Sequence, residues 1–187
     1  MRSILPLLAF GFAAASPVLA AEIIPVAKFR QVELHGGGQV LLRPGLVQRV
    51  TLTRGSSRFT TFRLGRNGSL KIDACNASCP RNYDLQIVIE TPRIEGVAVN
   101  GGGTIEAAAG FAVHDSLSAA VNGGGKIDVR QLPVATVSAA VNGGGEVLVR
   151  PRSSLSAAVR GGGEILYSGN PHVSMAVVGG GEVRRIK

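Results

Sequence analysis

Six glycine triplets punctuate this chain, beginning at Gly36, Gly101, Gly123, Gly143, Gly161 and Gly179. The last five are spaced by 22, 20, 18 and 18 residues. A phrase returning at such a period belongs to a repeat architecture, in which each unit buries its apolar face against the next. Alignment on the triplets produces columns. Two residues before the triplet stand Val99, Val121, Val141, Val159 and Val177, and four before it Val97, Ala119, Ala139, Ala157 and Met175. Leu117, Val137, Leu155 and Val173 fill the column six before. Ser118, Ser138, Ser156 and Ser174, and then Asn100, Asn122 and Asn142, occupy the places between. Alternation of this kind is strand periodicity, and it resumes after each triplet with Ile127 and Val129 or Val147 and Val149. Each repeat therefore reads as strand, glycine corner, strand and turn. Pro133, Pro151 and Pro171 fall in the turns, since a central strand excludes proline.

Two architectures fit this pattern. In a parallel β-helix each repeat is one coil, and equivalent residues lie about 4.8 Å above one another. In an antiparallel meander, Asn-Gly would open a hairpin. The columns favour the parallel β-helix. Stacked Asn122 and Asn142 can form an amide ladder, stacked serines can exchange hydrogen bonds, and small alanines suit a narrow interior. The triplet itself suits a sharp corner where backbones come close. Nothing resembles a GxxxxGK[ST] phosphate loop, and no helical pattern follows any triplet.

The chain opens with Arg2, an apolar run from Ile4 to Ala15, and Val18 and Ala20 at the positions a signal peptidase reads. Residues 1–20 are expected to be a secretory signal peptide. No other stretch is long enough to span a bilayer, so no transmembrane segment is expected in the mature chain. The remainder, 21–187, has the length of one domain, with irregular strands over 28–95 and regular repeats over 96–187. The net charge is +8, or +7 without Arg2.

An exported chain favours a disulfide between its two cysteines, Cys75 and Cys79. On an extended strand their Cα atoms would stand roughly 13 Å apart, too far to bridge. The bond therefore requires a tight loop, which Asn76, Ser78 and Pro80 favour. Zinc is the alternative, but no histidine lies nearby.

Strands are expected at 29–34, 39–42, 47–53, 59–64, 70–72 and 85–90. Between Glu33 and Asp73 the charge is entirely basic. Arg49, Arg54, Arg58, Arg63 and Arg66 form a candidate patch for anionic envelope polymer or lipid headgroups. A solvated, guarded edge is the plainer reading. Nucleic acid is not an expected partner, because the chain is exported and few aromatics stand among these arginines.

Little points to catalysis. His35, His114 and His172 fall in different columns and read as turn residues. Asp115 and Ser116 follow His114, but adjacency in sequence is not triad geometry. If repeats stack in register, Glu146, Glu164 and Glu182 form a carboxylate column, a candidate weak cation site. No cofactor is expected.

The stretches FRQVELHGGGQVLLRPG, DLQIVIETPRIEGVAVNGGG, the three central repeats and LYSGNPHVSMAVVGGGEVRRIK resemble the autotransporter adhesin head GIN domain family. Tyr167, Gly169, Asn170, Pro171 and Val173 fit its closing phrase. Its usual Ser-Gly-Ser-Gly is Gly-Gly-Gly here. The resemblance implies a right-handed β-helical fold and an exported, envelope-associated life. The fold expected is thus all-β, a right-handed parallel β-helix (a solenoid) of ~18–22-residue coils with a less regular N-terminal β region. The function expected is a non-enzymatic, exported envelope protein, periplasmic or attached to the outer envelope. It would be a binding or adhesion-type module for a surface polymer or protein. The alternative is a glycan-active enzyme that cleaves polysaccharide.

Overall fold

The computed structural model describes residues 21–76 and 78–187. The expected signal peptide, 1–20, lies outside the described residues. Among the described residues the regular structure is entirely strand. The irregular half supplies β1 (Glu22–Ile24), β2 (Gln31–Gly36), β3 (Gln39–Pro44), β4 (Arg49–Arg54), β5 (Thr61–Leu64), β6 (Ser69–Asp73) and β7 (Gln86–Thr91). The repeats supply β8 (Gly96–Gly101), β9 (Thr104–Ala107), β10 (His114–Gly123), β11 (Lys126–Asp128), β12 (Val134–Gly143), β13 (Glu146–Val149), β14 (Pro151–Gly161), β15 (Glu164–Tyr167), β16 (His172–Val178) and β17 (Glu182–Arg185). No helix long and apolar enough to cross a membrane occurs among the described residues.

The strands form two sheets. One has nine strands in the order β1-β4-β7-β3-β9-β11-β13-β15-β17, and the other eight in the order β16-β14-β12-β10-β8-β2-β6-β5. Each repeat gives its longer strand to the second sheet and its shorter strand to the first, with the glycine triplet as the corner between them. Neighbouring repeats run parallel and in register through the core columns, with one shift between Val134 and Thr136 where β12 meets β14: Val121 is partner to Val99 and Val141, and Ile127 to Ile105 and Val147.

The expected right-handed parallel β-helix is nevertheless corrected. The architecture is two mixed sheets, mostly parallel, in which β1–β4, β4–β7 and β5–β6 pair antiparallel. All three antiparallel pairs lie in the half without repeats. Column alignment has nothing to align there, and so carried no information about strand direction. Two smaller expectations also change. Pro151 opens β14 rather than lying in a turn, an allowed place because a first residue need not donate to the ladder. His114 sits at the start of β10 and is buried, while His35 lies on β2 and His172 on β16.

Strand periodicity builds the core. In β10, Leu117, Ala119 and Val121 are buried while Ser118 and Asn122 are exposed, and β12 and β14 repeat the arrangement. Residues from both sheets, including Leu34, Leu42, Ile89, Val141 and Ile165, join one continuous apolar cluster. Full burial of such side chains contributes about 1.5–3 kcal/mol each.

The corner explains the triplet position by position. Gly143 has φ +119°, and a Cβ there would stand 2.6 Å from the carbonyl oxygen of Gly123 in the preceding repeat. A Cβ on Gly145 would meet Val121 Cγ1, and the carbonyl oxygen of Gly125 at 2.6 Å. The middle residue, Gly144, faces open space. Hydrogen bonds join the corners as well. Gly144 N–H donates to Gly123 O and Glu146 N–H to Gly125 O, both at 3.0 Å.

Candidate functional site

Two surfaces stand out. The first is the outer face of the eight-stranded sheet. Two of its outward rows are short side chains in register across the strands of the repeats, while Arg152 and Arg160 on β14 stand out from the same face. One row is Ala98, Ala120, Ala140, Ala158 and Ala176, and another is Ser118, Ser138, Ser156 and Ser174. The amide ladder expected of Asn122 and Asn142 forms and extends to Asn100. Asn142 Nδ2 donates to Asn122 Oδ1 at 2.9 Å, and Asn122 Nδ2 to Asn100 Oδ1 at 2.8 Å. Arg160 continues this row on β14 and ends the ladder. Hydroxyl exchange is found not within the column of Ser138 and Ser156 but in the next outward row, where Ser154 Oγ donates to Thr136 Oγ1 at 3.1 Å.

The second surface is an open groove of about 750 Å³. It is lined by Val26, Lys28, Phe29, Arg30, Leu46, Val47, Gln48, Pro92, Arg93 and Glu95. Three segments distant in sequence meet here, and the Gln48 side chain fastens them. Its Nε2 donates to Phe29 O at 2.7 Å and to Thr91 Oγ1 at 3.1 Å, and its Oε1 accepts from Phe29 N–H at 3.1 Å. Glu95 lies 3.9 Å from Arg30 and 3.8 Å from Arg93, and Arg93 also reaches Asp115 at 3.2 Å.

The five arginines of the basic patch are not gathered on one face. Arg49 and Arg54 belong to the nine-stranded sheet, Arg63 to the eight-stranded sheet, and Arg58 and Arg66 to the loops beside β5. Three of them have acid partners: Arg49 with Glu90 at 3.8 Å, Arg54 with Asp84 at 2.8 Å, and Arg63 with Asp73. The Arg58 guanidinium stands 5.6 Å from the centroid of the Phe59 ring. Cys75 and Cys79 are joined, with Cα atoms 5.8 Å apart. Glu146, Glu164 and Glu182 are register partners on β13, β15 and β17. Cations temper this column at both ends: Lys126 Nζ is 2.8 Å from Glu146, and Arg184 Nε donates to Glu182 at 2.8 Å. Among the described residues no group of three His, Cys, Asp or Glu side chains is arranged to hold a metal ion.

His114 is committed to the backbone. Its Nε2 accepts from Ile94 N–H at 3.1 Å, so Nδ1 carries the proton and donates to Ala112 O at 2.8 Å. Two carboxyls are held below their ordinary range. Burial pushes Glu33 up, but the Ser69 hydroxyl at 2.6 Å and the charge of Lys71 outweigh it. Burial likewise pushes Asp128 up, and the bidentate Arg130 guanidinium, with Nε at 2.9 Å, more than reverses this.

Sequence reasoning missed the groove. Its one local signal was an apolar pair, Leu46-Val47, directly after the turn residues Pro44-Gly45. The alternation places Val47 at the start of a strand, which in the structure begins at Arg49.

No curated protein matches the chain. Among solved structures, a "putative adhesin" from Bacteroides fragilis matches with a TM-score of 0.55 at 17% identity, covering 89% of this chain and 96% of that one. At that identity the likeness is one of fold. A "putative adhesin" from Parabacteroides distasonis matches with a TM-score of 0.45 at 15% identity, covering 89% and 96%. A "putative cell adhesion protein" from Clostridium sporogenes matches with a TM-score of 0.40 at 10% identity, covering 89% and 97%. The likeness read from the repeats is found in the strands that carry them: residues 112–171, which contain β10 to β15, match the model of the family described as "Putative auto-transporter adhesin, head GIN domain".

Proposed function

We propose that this chain is an exported, non-enzymatic protein of the cell envelope that works as an adhesion-type binding module. The observation that carries the reading is where the family match falls. Residues 112–171 include the central strands β10, β12 and β14, whose outward Ser and Ala side chains stack in register. A face of short side chains suits contact with an extended polymer or a second protein surface, because little rotamer freedom is lost when it is covered. The name of the Bacteroides fragilis relative points the same way. Residues 21–187 are taken as one binding domain following a leader at 1–20, a reading supported by the apolar cluster that joins both sheets.

Polysaccharide hydrolysis uses two carboxyl groups flanking the scissile bond. Acids of the repeats are instead engaged by cations, Asp128 by Arg130, Glu146 by Lys126 and Glu182 by Arg184, which supports binding over cleavage. The test is a panel of lipopolysaccharide, peptidoglycan and purified glycans, read by surface plasmon resonance and by release of reducing ends. Saturable binding without turnover is expected. Turnover abolished by changing a single Asp or Glu would replace this reading with the enzymatic one.

A further inference from the structure

The connection from β3 to β4 closes no hairpin. β7 lies between them in the sheet, so residues 45–48 must cross over its end. The crossover is pinned on both sides. Gly45 N–H donates to Thr91 O at 3.2 Å, and Gln48 is held by Phe29 and Thr91. Pinned in this way, the crossover needs no apolar side chain at its tip. Yet Leu46 is 98% exposed and Val47 74% exposed, beside each other at the mouth of the groove. Single exposed aliphatics are ordinary on protein surfaces, but an adjoining pair held out by a fastened loop and ringed by cations is not. Lys28, Arg30 and Arg93 line the groove, and Arg43 and Arg49 flank the tip, against Glu90, Glu95 and Asp115.

We infer that this crossover is a docking site for an anionic lipid bilayer. Leu46 and Val47 enter the acyl boundary while Lys28, Arg30 and Arg93 meet the phosphate headgroups. The inference rests on the envelope-binding reading above and names a partner for it. The choice of a bilayer follows from the chemistry of the tip. A polysaccharide offers mostly hydroxyls and little apolar area for two exposed aliphatic side chains to bury against, whereas hydrocarbon takes them up whole. The surplus of cations over acids selects an anionic surface over a neutral one.

The test uses the processed, exported chain with vesicles of equal parts phosphatidylglycerol and phosphatidylcholine, and with vesicles of phosphatidylcholine alone. Co-sedimentation with the anionic vesicles only is expected. The double variant Leu46→Ser, Val47→Ser should lose binding by about tenfold or more. Lys28→Gln should lose about fivefold. Both should unfold at the temperature of the parent, since these side chains are solvated. A second readout is independent of any lost contact. The chain has no tryptophan, so Leu46→Trp supplies a single tryptophan at the tip, excited apart from the two tyrosines at wavelengths above their absorption. Its emission should shift to the blue on addition of anionic vesicles, while that of Arg152→Trp, at an exposed site on β14, should not.

Unchanged emission of Leu46→Trp overturns the inference, as does full binding by the double serine variant. Complete competition by free glycerol phosphate would mean a phosphate site rather than a bilayer site, and also overturns it. Binding to glycans but not vesicles removes this site and leaves the proposed function standing. Binding to neither removes both.

Discussion

The glycine corner makes a sharp claim about three consecutive residues. At Gly143 an alanine would have to hold φ near +119° and place its Cβ 2.6 Å from a backbone oxygen and 3.2 Å from two backbone carbons of the preceding repeat. The conformational strain costs about 1–3 kcal/mol. The contact adds about 1–3 kcal/mol of overpacking, because its partners are main chain and can give way only by moving a strand. Gly143→Ala should thus destabilise by about 2–6 kcal/mol, lowering the melting temperature by roughly 2–4 °C for each kcal/mol. Gly144 has no neighbour within 4 Å of a built Cβ and keeps φ outside the left-handed region. Its N–H continues to donate to Gly123 O in an alanine variant. Gly144→Ala should therefore be neutral or stabilising by about 0.4–1 kcal/mol, through the smaller freedom of its unfolded chain. Gly145→Ala should resemble Gly143→Ala for a different reason, a collision with Val121 and with Gly125 O. Thermal and urea unfolding of the three single variants, read by far-ultraviolet circular dichroism, measures the pattern. Three variants within 0.5 kcal/mol of one another would refute the proposed packing of the corner.

Asn122 both donates to and accepts from its column neighbours, so Asn122→Ala should cost about 1–2 kcal/mol in urea unfolding, and Asn142→Ala, with one such bond lost, about half as much. Replacing His114 by phenylalanine strands the buried Ile94 N–H and should cost about 1–3 kcal/mol; a loss no greater than that of an exposed control such as Arg152→Ala would argue against the assigned hydrogen bonds. Glu33 and Asp128 are depressed in the folded state, so their contribution is full above their unfolded values, about 4, and is lost as pH falls through the lower folded values. The melting temperature should accordingly decline on acidification below about pH 4.5, and Glu33→Gln with Asp128→Asn should flatten that decline. A decline of equal steepness in the double variant would locate the acid sensitivity elsewhere.

The repeats were legible because each residue of β10, β12 and β14 has an equivalent one period away, and equivalence in sequence became register in the sheets. Val121, Asn122 and Gly123 could be placed by column alone. The same method was silent over 28–95. Strand positions there were readable from local alternation, as for 39–42 and 85–90, which fall on Gln39–Pro44 and Gln86–Thr91, but strand partners were not. Alternation tells which side of a strand is wet, and it does not tell which strand lies beside it or which way that neighbour runs. Hence β4 and β5 were recognised as strands while their antiparallel pairing, which decides the architecture, was not. The groove was hidden for a related reason. Lys28, Leu46 and Arg93 belong to three segments that only the crossing of β7 brings together. The basic run could not be placed either, because charge along a sequence does not tell which sheet a strand joins, and Arg49 and Arg54 lie in one sheet and Arg63 in the other.

The pairing of β2 with β8 bears on how such a chain finds its shape. Successive repeats join partners about twenty residues apart, as Gly123 meets Gly143, but Gly36 meets Gly101 only after the chain has travelled out through β4 to β7 and returned. Closing that larger loop costs about 1 kcal/mol more in chain entropy than closing one repeat. This joint is also where the repeats meet the irregular half, since β8 has β10 on its other side and β2 has β6. The kinetic bottleneck should therefore lie at this joint, with the later repeats adding one after another onto the edge it creates.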